Sequence, residues 1–144
     1  MYFSYNKLLW PSGTNNPKKN AVNFIIYSAF KDKEITIYEK GKFFRDLIYI
    51  SDVISGINKI IKKGKPGELY WIASGKKTWF YQLANMLKME TDCNIKYVKT
   101  PSYTKKVDVG NFYVNNSKLK KLGWKPKITV KEGIKKTLIY FSKK

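Results

Sequence analysis

Leu47-Ile48-Tyr49-Ile50 is an unbroken apolar run of strand length, and it leads at once into a stretch whose apolar residues recur every three or four positions: Val53, Ile54, Ile57, Ile60 and Ile61. A continuous apolar run suits a strand buried on both faces. The recurrence that follows suits one stripe of a helix. Ser51 or Asp52 is placed to cap that helix by accepting from its free backbone amides, and Gly64 ends it with Pro66 just beyond. A strand feeding a helix in this way makes the expected fold class α/β.

The rest of the chain repeats the alternation. Residues 1–9 read as a short strand, and residues 10–19, rich in Pro, Gly, Ser and Asn, as a loop. Residues 20–30 read as a helix with Val22, Ile25, Ile26 and Phe30 at helical spacing. Residues 34–38 are a strand, residues 39–42 a turn, and residues 43–50 a second extended run. Residues 68–73 read as a further strand. Thr78 is expected to cap a helix that buries Trp79, Leu83, Met86 and Leu87. Residues 94–99 are a strand, 101–110 a basic loop, and 117–122 a short helix closed by Gly123. Thr129-Val130-Lys131-Glu132 is a capping box opening a last helix with Val130, Ile134, Leu138 and Phe141 inward.

Composition narrows function by exclusion. At 144 residues and 43% hydrophobic, the chain suits one domain or a piece of one, with enough apolar surface for a core. No apolar run is long enough to span a membrane, and the first ten residues lack the pattern of a secretory signal. With no histidine and a single cysteine, Cys93, neither an internal disulfide nor a zinc site is expected. A cytoplasmic location fits that cysteine usage best. The net charge of +19 would attract phosphates or nucleic acid. Only Arg45 among the 29 basic residues is an arginine, however, and the lysines are spread along the whole chain. This argues against a dedicated nucleic-acid partner, for which planar arginine forks are favoured. So does the placing of most aromatic residues on expected buried faces.

Three stretches carry a family resemblance. The first is Ile35-Thr36-Ile37-Tyr38, then Gly41, then Phe44-Arg45-Asp46-Leu47-Ile48-Tyr49-Ile50-Ser51-Asp52-Val53. The second is Gly67-Glu68-Leu69-Tyr70-Trp71-Ile72-Ala73-Ser74-Gly75 with Thr78. The third is Asp108, then Ser117-Lys118-Leu119-Lys120-Lys121-Leu122-Gly123-Trp124-Lys125-Pro126, then Glu132-Gly133-Ile134. In this order they resemble the C-terminal, substrate-binding part of the extended short-chain dehydrogenase family of NAD-dependent sugar-nucleotide epimerases and dehydratases. The resemblance implies the C-terminal portion of an extended Rossmann-type fold, a small mixed sheet with about four or five helices. It implies one region over residues 1–144, without the N-terminal NAD-binding half.

In that family this lobe holds the nucleotide diphosphate of the substrate. The task needs a cation at the pyrophosphate, polar groups for ribose and base, and an apolar wall. The resemblance makes Arg45 the phosphate-binding cation and Asn20 a substrate contact before a helix. It puts Tyr38 beside the base, Lys105 or Lys106 in place of a second phosphate-binding arginine, and Asp108 near the ribose or base. The plain alternatives are a surface arginine for Arg45, a helix cap for Asn20, an ordinary strand aromatic for Tyr38 and solvated lysines for Lys105 and Lys106. Asp52 also matches a family position, and capping is the preferred role for it. The family's N-x-Y-G-P stretch is not matched: Lys7-Leu8-Leu9-Trp10 precede Pro11.

The chemistry-bearing motifs of the intact family are not found. No glycine-rich turn could bring backbone close to a dinucleotide. Tyr27/Lys31, Tyr38/Lys42 and Tyr140/Lys144 have the Y-x-x-x-K spacing, but about two such pairs arise by chance in a chain this rich in both residues. No catalytic base is assigned. The expectation is a sugar-nucleotide-binding chain, catalytically incomplete by itself, binding no cofactor alone although the intact family uses NAD. Its expected partners are a nucleotide-diphosphate sugar and either a separately encoded NAD-binding half or a second copy. The alternative is a lysine-rich nucleic-acid-binding or protein-interaction module.

Overall fold

The computed structural model describes residues 8–9, 21–100 and 110–143. The expected loop at 10–19, most of the expected strand at 1–9, and Asn20, Lys105, Lys106 and Asp108 lie outside them. In chain order the elements are strand β1 (Leu8–Leu9), helix α1 (Ala21–Lys31), strand β2 (Glu34–Tyr38), a 3-10 turn (Glu39–Gly41), strands β3 (Phe44–Arg45) and β4 (Ile48–Tyr49), helix α2 (Ile50–Lys63), strand β5 (Thr78–Trp79), helix α3 (Phe80–Thr91), strand β6 (Asn94–Val98), and helices α4 (Ser117–Lys121) and α5 (Val130–Ser142).

The class is α/β, with parallel and antiparallel pairing together. The strands do not merge into one sheet among the described residues. They form three two-stranded pairs: β1 with β4 and β2 with β6 in parallel, and β3 with β5 antiparallel. Strand β2 shows why its sequence forms this element: Ile35 and Ile37 point into the core while Glu34, Thr36 and Tyr38 point out. Helix α1 buries Val22, Ile25, Ile26 and Ala29 against these isoleucines, and α3 adds Phe80, Leu83, Ala84 and Leu87. Ile134 from α5 closes this main core, with Val130, Leu138 and Phe141 packed at its edge. Each fully buried leucine or isoleucine here contributes about 1.5–3 kcal/mol. Cys93 is buried in the same core, which screens its thiol from solvent. A second core gathers Ile48, Tyr70, Leu119 and Trp124 under α2. No helix of the described residues is long and apolar enough to cross a membrane.

Several local expectations are corrected. The extended run at 43–50 breaks into β3 and β4, and α2 begins at Ile50, inside the apolar run. Neither Ser51 nor Asp52 caps that helix, because Tyr49 occupies the cap position. Asp52 turns instead to a distant loop and accepts from the amides of Lys127 and Ile128 at 3.0 and 2.9 Å. Thr78 belongs to β5 rather than to a cap, and the Gln82 side chain accepts from the Trp79 amide at 3.3 Å. The α3 core face is shifted by a fraction of a turn, so Phe80 and Ala84 are buried while Trp79 and Met86 are only partly covered.

Two further differences leave apolar surface outside. Helix α2 packs through Asp52 and Gly56, where an added Cβ would lie 2.9 Å from the Ile72 side chain. That close approach turns Ile54 and Ile61 outward, 53% and 69% exposed. Residues 69–72 keep a strand-like alternation, with Tyr70 buried and Ile72 partly buried while Leu69 and Trp71 are exposed, but residues 68–73 form no ladder with any described residue. A strand exists only where a second backbone supplies its hydrogen bonds, which side-chain alternation alone does not guarantee.

The capping box at α5 is present as expected. Thr129 accepts from the Glu132 amide at 3.2 Å, and Glu132 accepts from the Thr129 amide and hydroxyl at 2.7 Å each. The side-chain hydrogen bond from Thr129, followed by the backbone one, holds the Glu132 carboxyl below its ordinary value of 4.5. Thr129→Ala is expected to cost about 1 kcal/mol in a denaturant melt at neutral pH. Because the folded value is the lower one, the box contributes fully above pH 4.5 and its contribution fades as pH falls through that lowered value. The gap between wild type and Thr129→Ala should therefore narrow on acidification. A gap that is constant from pH 7 to pH 3 would show that the carboxylate is not part of the cap.

Candidate functional site

Arg45 is set by short-range geometry. The turn Glu39–Gly41 follows β2, and Gly41 adopts a positive φ of 72° with its Cα against the Tyr81 backbone. A Cβ there would stand 2.4 Å from the Tyr81 nitrogen, so only glycine permits this approach. The chain then pairs Phe44 with Trp79 and Arg45 with Thr78. Successive strand residues face opposite sides, so Arg45 points inward and Phe44 outward.

Arg45 is 2% exposed, and the reading as an ordinary surface arginine is therefore set aside. Its Cζ lies 5.4 Å from the Phe112 ring centroid and 5.9 Å from that of Phe43. One Nη donates to the Phe44 carbonyl at 2.9 Å. Two ring faces and a carbonyl dipole favour the positive charge at a depth where desolvation opposes it.

The neighbouring Asp46, fully buried, is the hub that sequence reading left without a role. Its Oδ1 accepts from the Ser74 amide at 2.8 Å and the Ser74 hydroxyl at 2.6 Å. Its Oδ2 accepts from the Gly75 amide at 2.9 Å and the Val114 amide at 3.2 Å. Asn116, also buried, donates to the Ala73 carbonyl at 2.7 Å and packs against Gly75, whose φ is 73°. One carboxylate and one amide side chain thus join three separate stretches: 45–46, 73–75 and 114–116.

The segment carrying Lys105, Lys106 and Asp108 lies outside the described residues, but the residues on either side of it are fastened to the Arg45 region. Thr100 donates its amide to the Glu39 carboxylate at 3.0 Å. On the other side, the Phe44 amide donates to the Asn111 side chain at 2.9 Å, Phe112 stacks on Arg45, and Val114 is held by Asp46. Tyr38, on the exposed side of β2, leads into the turn from which Arg45 emerges. Both flanks of the 101–109 segment thus meet the stretch from Glu39 to Asp46 that carries Arg45.

Asp52 serves structure here, tying α2 to residues 127–128, and Trp124 Nε1 donates to Ser55 Oγ at 2.8 Å beside it. Away from Arg45, Lys118 pairs with Glu68 and lies over the Tyr70 ring, and the hydrogen bond from Lys118 lowers the Glu68 carboxyl. Burial raises the Tyr49 phenol above 10.0.

These features meet a known pattern. Residues 5–137 match the GDP-mannose 4,6 dehydratase family. The chain belongs to that family. Among curated relatives, the dTDP-D-glucose 4,6-dehydratase of Homo sapiens is 30% identical over 122 residues, which cover 76% of this chain and 33% of that enzyme. Among solved structures, the UDP-glucose 4-epimerase of Thermotoga maritima with UDP-glucose is similar with a TM-score of 0.76 at 29% identity, over 89% of this chain and 41% of that one. The Bordetella bronchiseptica enzyme WbmF in complex with NAD+ gives a TM-score of 0.72 at 27% identity, over 88% and 37%. The chain spans between 19% and 40% of the length of the curated relatives it matches.

The described residues of this family member do not fit a dinucleotide. A pyrophosphate needs a glycine-rich strand-to-helix turn whose amides it can approach. The junctions from β4 to α2 and from β5 to α3 carry Tyr49-Ile50 and Trp79-Phe80, with bulky side chains where glycine is needed. Helix α2 also places Asp52 in its first turn, where a carboxylate repels phosphate.

Proposed function

We propose that this chain grips the diphosphate of a nucleotide-diphosphate sugar, supplying substrate binding to an epimerase or dehydratase and no hydride chemistry of its own. Arg45 attracts the pyrophosphate, Lys105 or Lys106 adds a second cation, Asp108 and Asn20 hold ribose or base, and Tyr38 lies along the base. The observation that carries this reading is the fastening of both flanks of the 101–109 segment to the stretch from Glu39 to Asp46. The described residues that flank the candidate cations and Asp108 in sequence thus meet the stretch that carries a deeply seated guanidinium. Attraction between a diphosphate and a cation in such a low-dielectric setting exceeds that at the surface.

Calorimetric titration of the chain with UDP-, dTDP- and GDP-linked sugars tests the reading. One of the three should bind at millimolar concentration or tighter. If none gives heat in that range, the binding role is lost.

The outward Ile54 and Ile61 of α2, with Leu69 and Trp71 of the unpaired 68–73 stretch, are apolar surface that water disfavours. Our reading is that an NAD-binding half, on the same polypeptide or on another chain, covers this surface, or that a second copy does. At 16.9 kDa, the chain alone should scatter light as a species larger than a monomer. A monodisperse monomer at about 100 μM would contradict this.

A further inference from the structure

The outward face of β3 and β5 carries a feature that the sugar-nucleotide reading does not use. Phe44 and Trp79 pair across the two strands with ring centroids 5.0 Å apart, edge to face. Trp79 lies 6.0 Å from Tyr81, and Phe44 lies 6.5 Å from Tyr113. Tyr81 is 40% exposed and Tyr113 51%. Three separate stretches thus bring four rings together, with Tyr81 and Tyr113 exposed and Phe44 and Trp79 partly buried. The hydrogen bond from the Phe44 amide to Asn111 holds the third stretch in place. Lys77 Nζ sits 5.1 Å from the Phe44 centroid and 4.9 Å from that of Tyr113, and Lys76 beside it is exposed.

Charge favours one kind of occupant. The chain carries +19 with only ten acidic residues. Six of those ten are engaged: Asp46, Asp52 and Glu39 by backbone amides, Glu68 by Lys118, Glu90 by Lys135 and Glu132 by Thr129. An apolar protein partner would cover the rings but gain nothing from the charge. A neutral sugar would stack without using it, and an anionic lipid surface has no flat faces to stack. A duplex hides its base faces. A single strand offers a flat base and a phosphate at every nucleotide, which is the combination of stacking and cation that such surfaces use. Most aromatic residues are expected on buried faces, but Tyr81 and Tyr113 are among those outside.

We propose that the Phe44–Trp79–Tyr81–Tyr113 surface, with Lys76 and Lys77, is a binding site for single-stranded nucleic acid. It is distinct from the Arg45 site, which lies on the opposite side of β3.

The test is fluorescence anisotropy of the chain with labelled oligo(dT) and oligo(rU) of about 20 nucleotides, and with a duplex of the same length, across a salt series. Tyr81→Ala and Tyr113→Ala should each weaken single-strand binding by about fivefold or more, leaving the salt slope unchanged. Tyr113→Leu, which keeps apolar bulk without a ring, should behave like Tyr113→Ala. Lys76→Gln and Lys77→Gln should each flatten the slope of log K against log salt by about 0.7. Melting temperatures near that of the wild type are expected for the tyrosine variants, since both side chains are exposed. Wild-type affinity in both tyrosine variants would overturn the proposal, because charge alone would then explain binding. So would a duplex bound as tightly as the single strand, or binding of a neutral oligosaccharide or anionic vesicles that oligo(dT) fails to displace from the wild type but that Tyr113→Ala abolishes.

Discussion

Asp46→Ala is expected to lower the unfolding free energy by about 3 kcal/mol or more. The carboxylate accepts from three backbone amides and one hydroxyl, and it is fully buried. Truncation leaves the Ser74, Gly75 and Val114 amides without their acceptor, and each orphaned donor costs about 1–3 kcal/mol unless water enters the space. Asp46→Asn keeps the shape and one oxygen but aims an NH2 group at donors, so a smaller loss is expected. A urea midpoint lower by roughly 1–2 M in Asp46→Ala would match this size of effect. A midpoint within about 0.3 M of wild type, with unchanged m, would show that the three stretches hold together without the carboxylate.

Arg45→Gln is expected to weaken nucleotide-sugar binding by about tenfold to a hundredfold, the scale of one or two charge-assisted hydrogen bonds. Glutamine keeps a polar side chain of moderate length but removes the charge and the planar fork. Arg45→Lys should fall between, since a lysine restores charge without the fork. Because the Arg45 side chain also packs between Phe43 and Phe112, each variant's stability must be measured beside its affinity. A stable Arg45→Gln variant that titrates like the wild type would remove the phosphate role from this residue.

The parts of the fold that depend on near neighbours in the chain were readable. Helix α1, strand β2 and the α5 capping box rest on periodicity and on contacts within one element, and they fall within a residue or two of expectation. The parts that depend on distant partners were not. Residues 69–72 alternate as a strand does, but the needed ladder has to come from elsewhere in space. Asp46 carried no local signal, because its partners stand 28, 29 and 68 positions away. One clue was present: a carboxylate that, apart from Arg45 beside it, lies inside the apolar run of residues 43–50 must either reach water or collect hydrogen bonds. Phe112 and Asn116 were missed for the same reason. Arg45 was legible as a position in a motif, but its burial between two rings followed only from the fold.

The parallel register of β2 with β6, Glu34 opposite Asn94 through Tyr38 opposite Val98, has a consequence for how this molecule is made. During translation Ile35 and Ile37 emerge roughly sixty residues before their mates, a wait of about 3–12 s at ordinary elongation speeds. For that interval a greasy strand lacks its native ladder, the kind of edge on which nascent chains clump. Lysines scattered along the whole polypeptide, rather than gathered at one end, keep growing chains repelling one another throughout that wait.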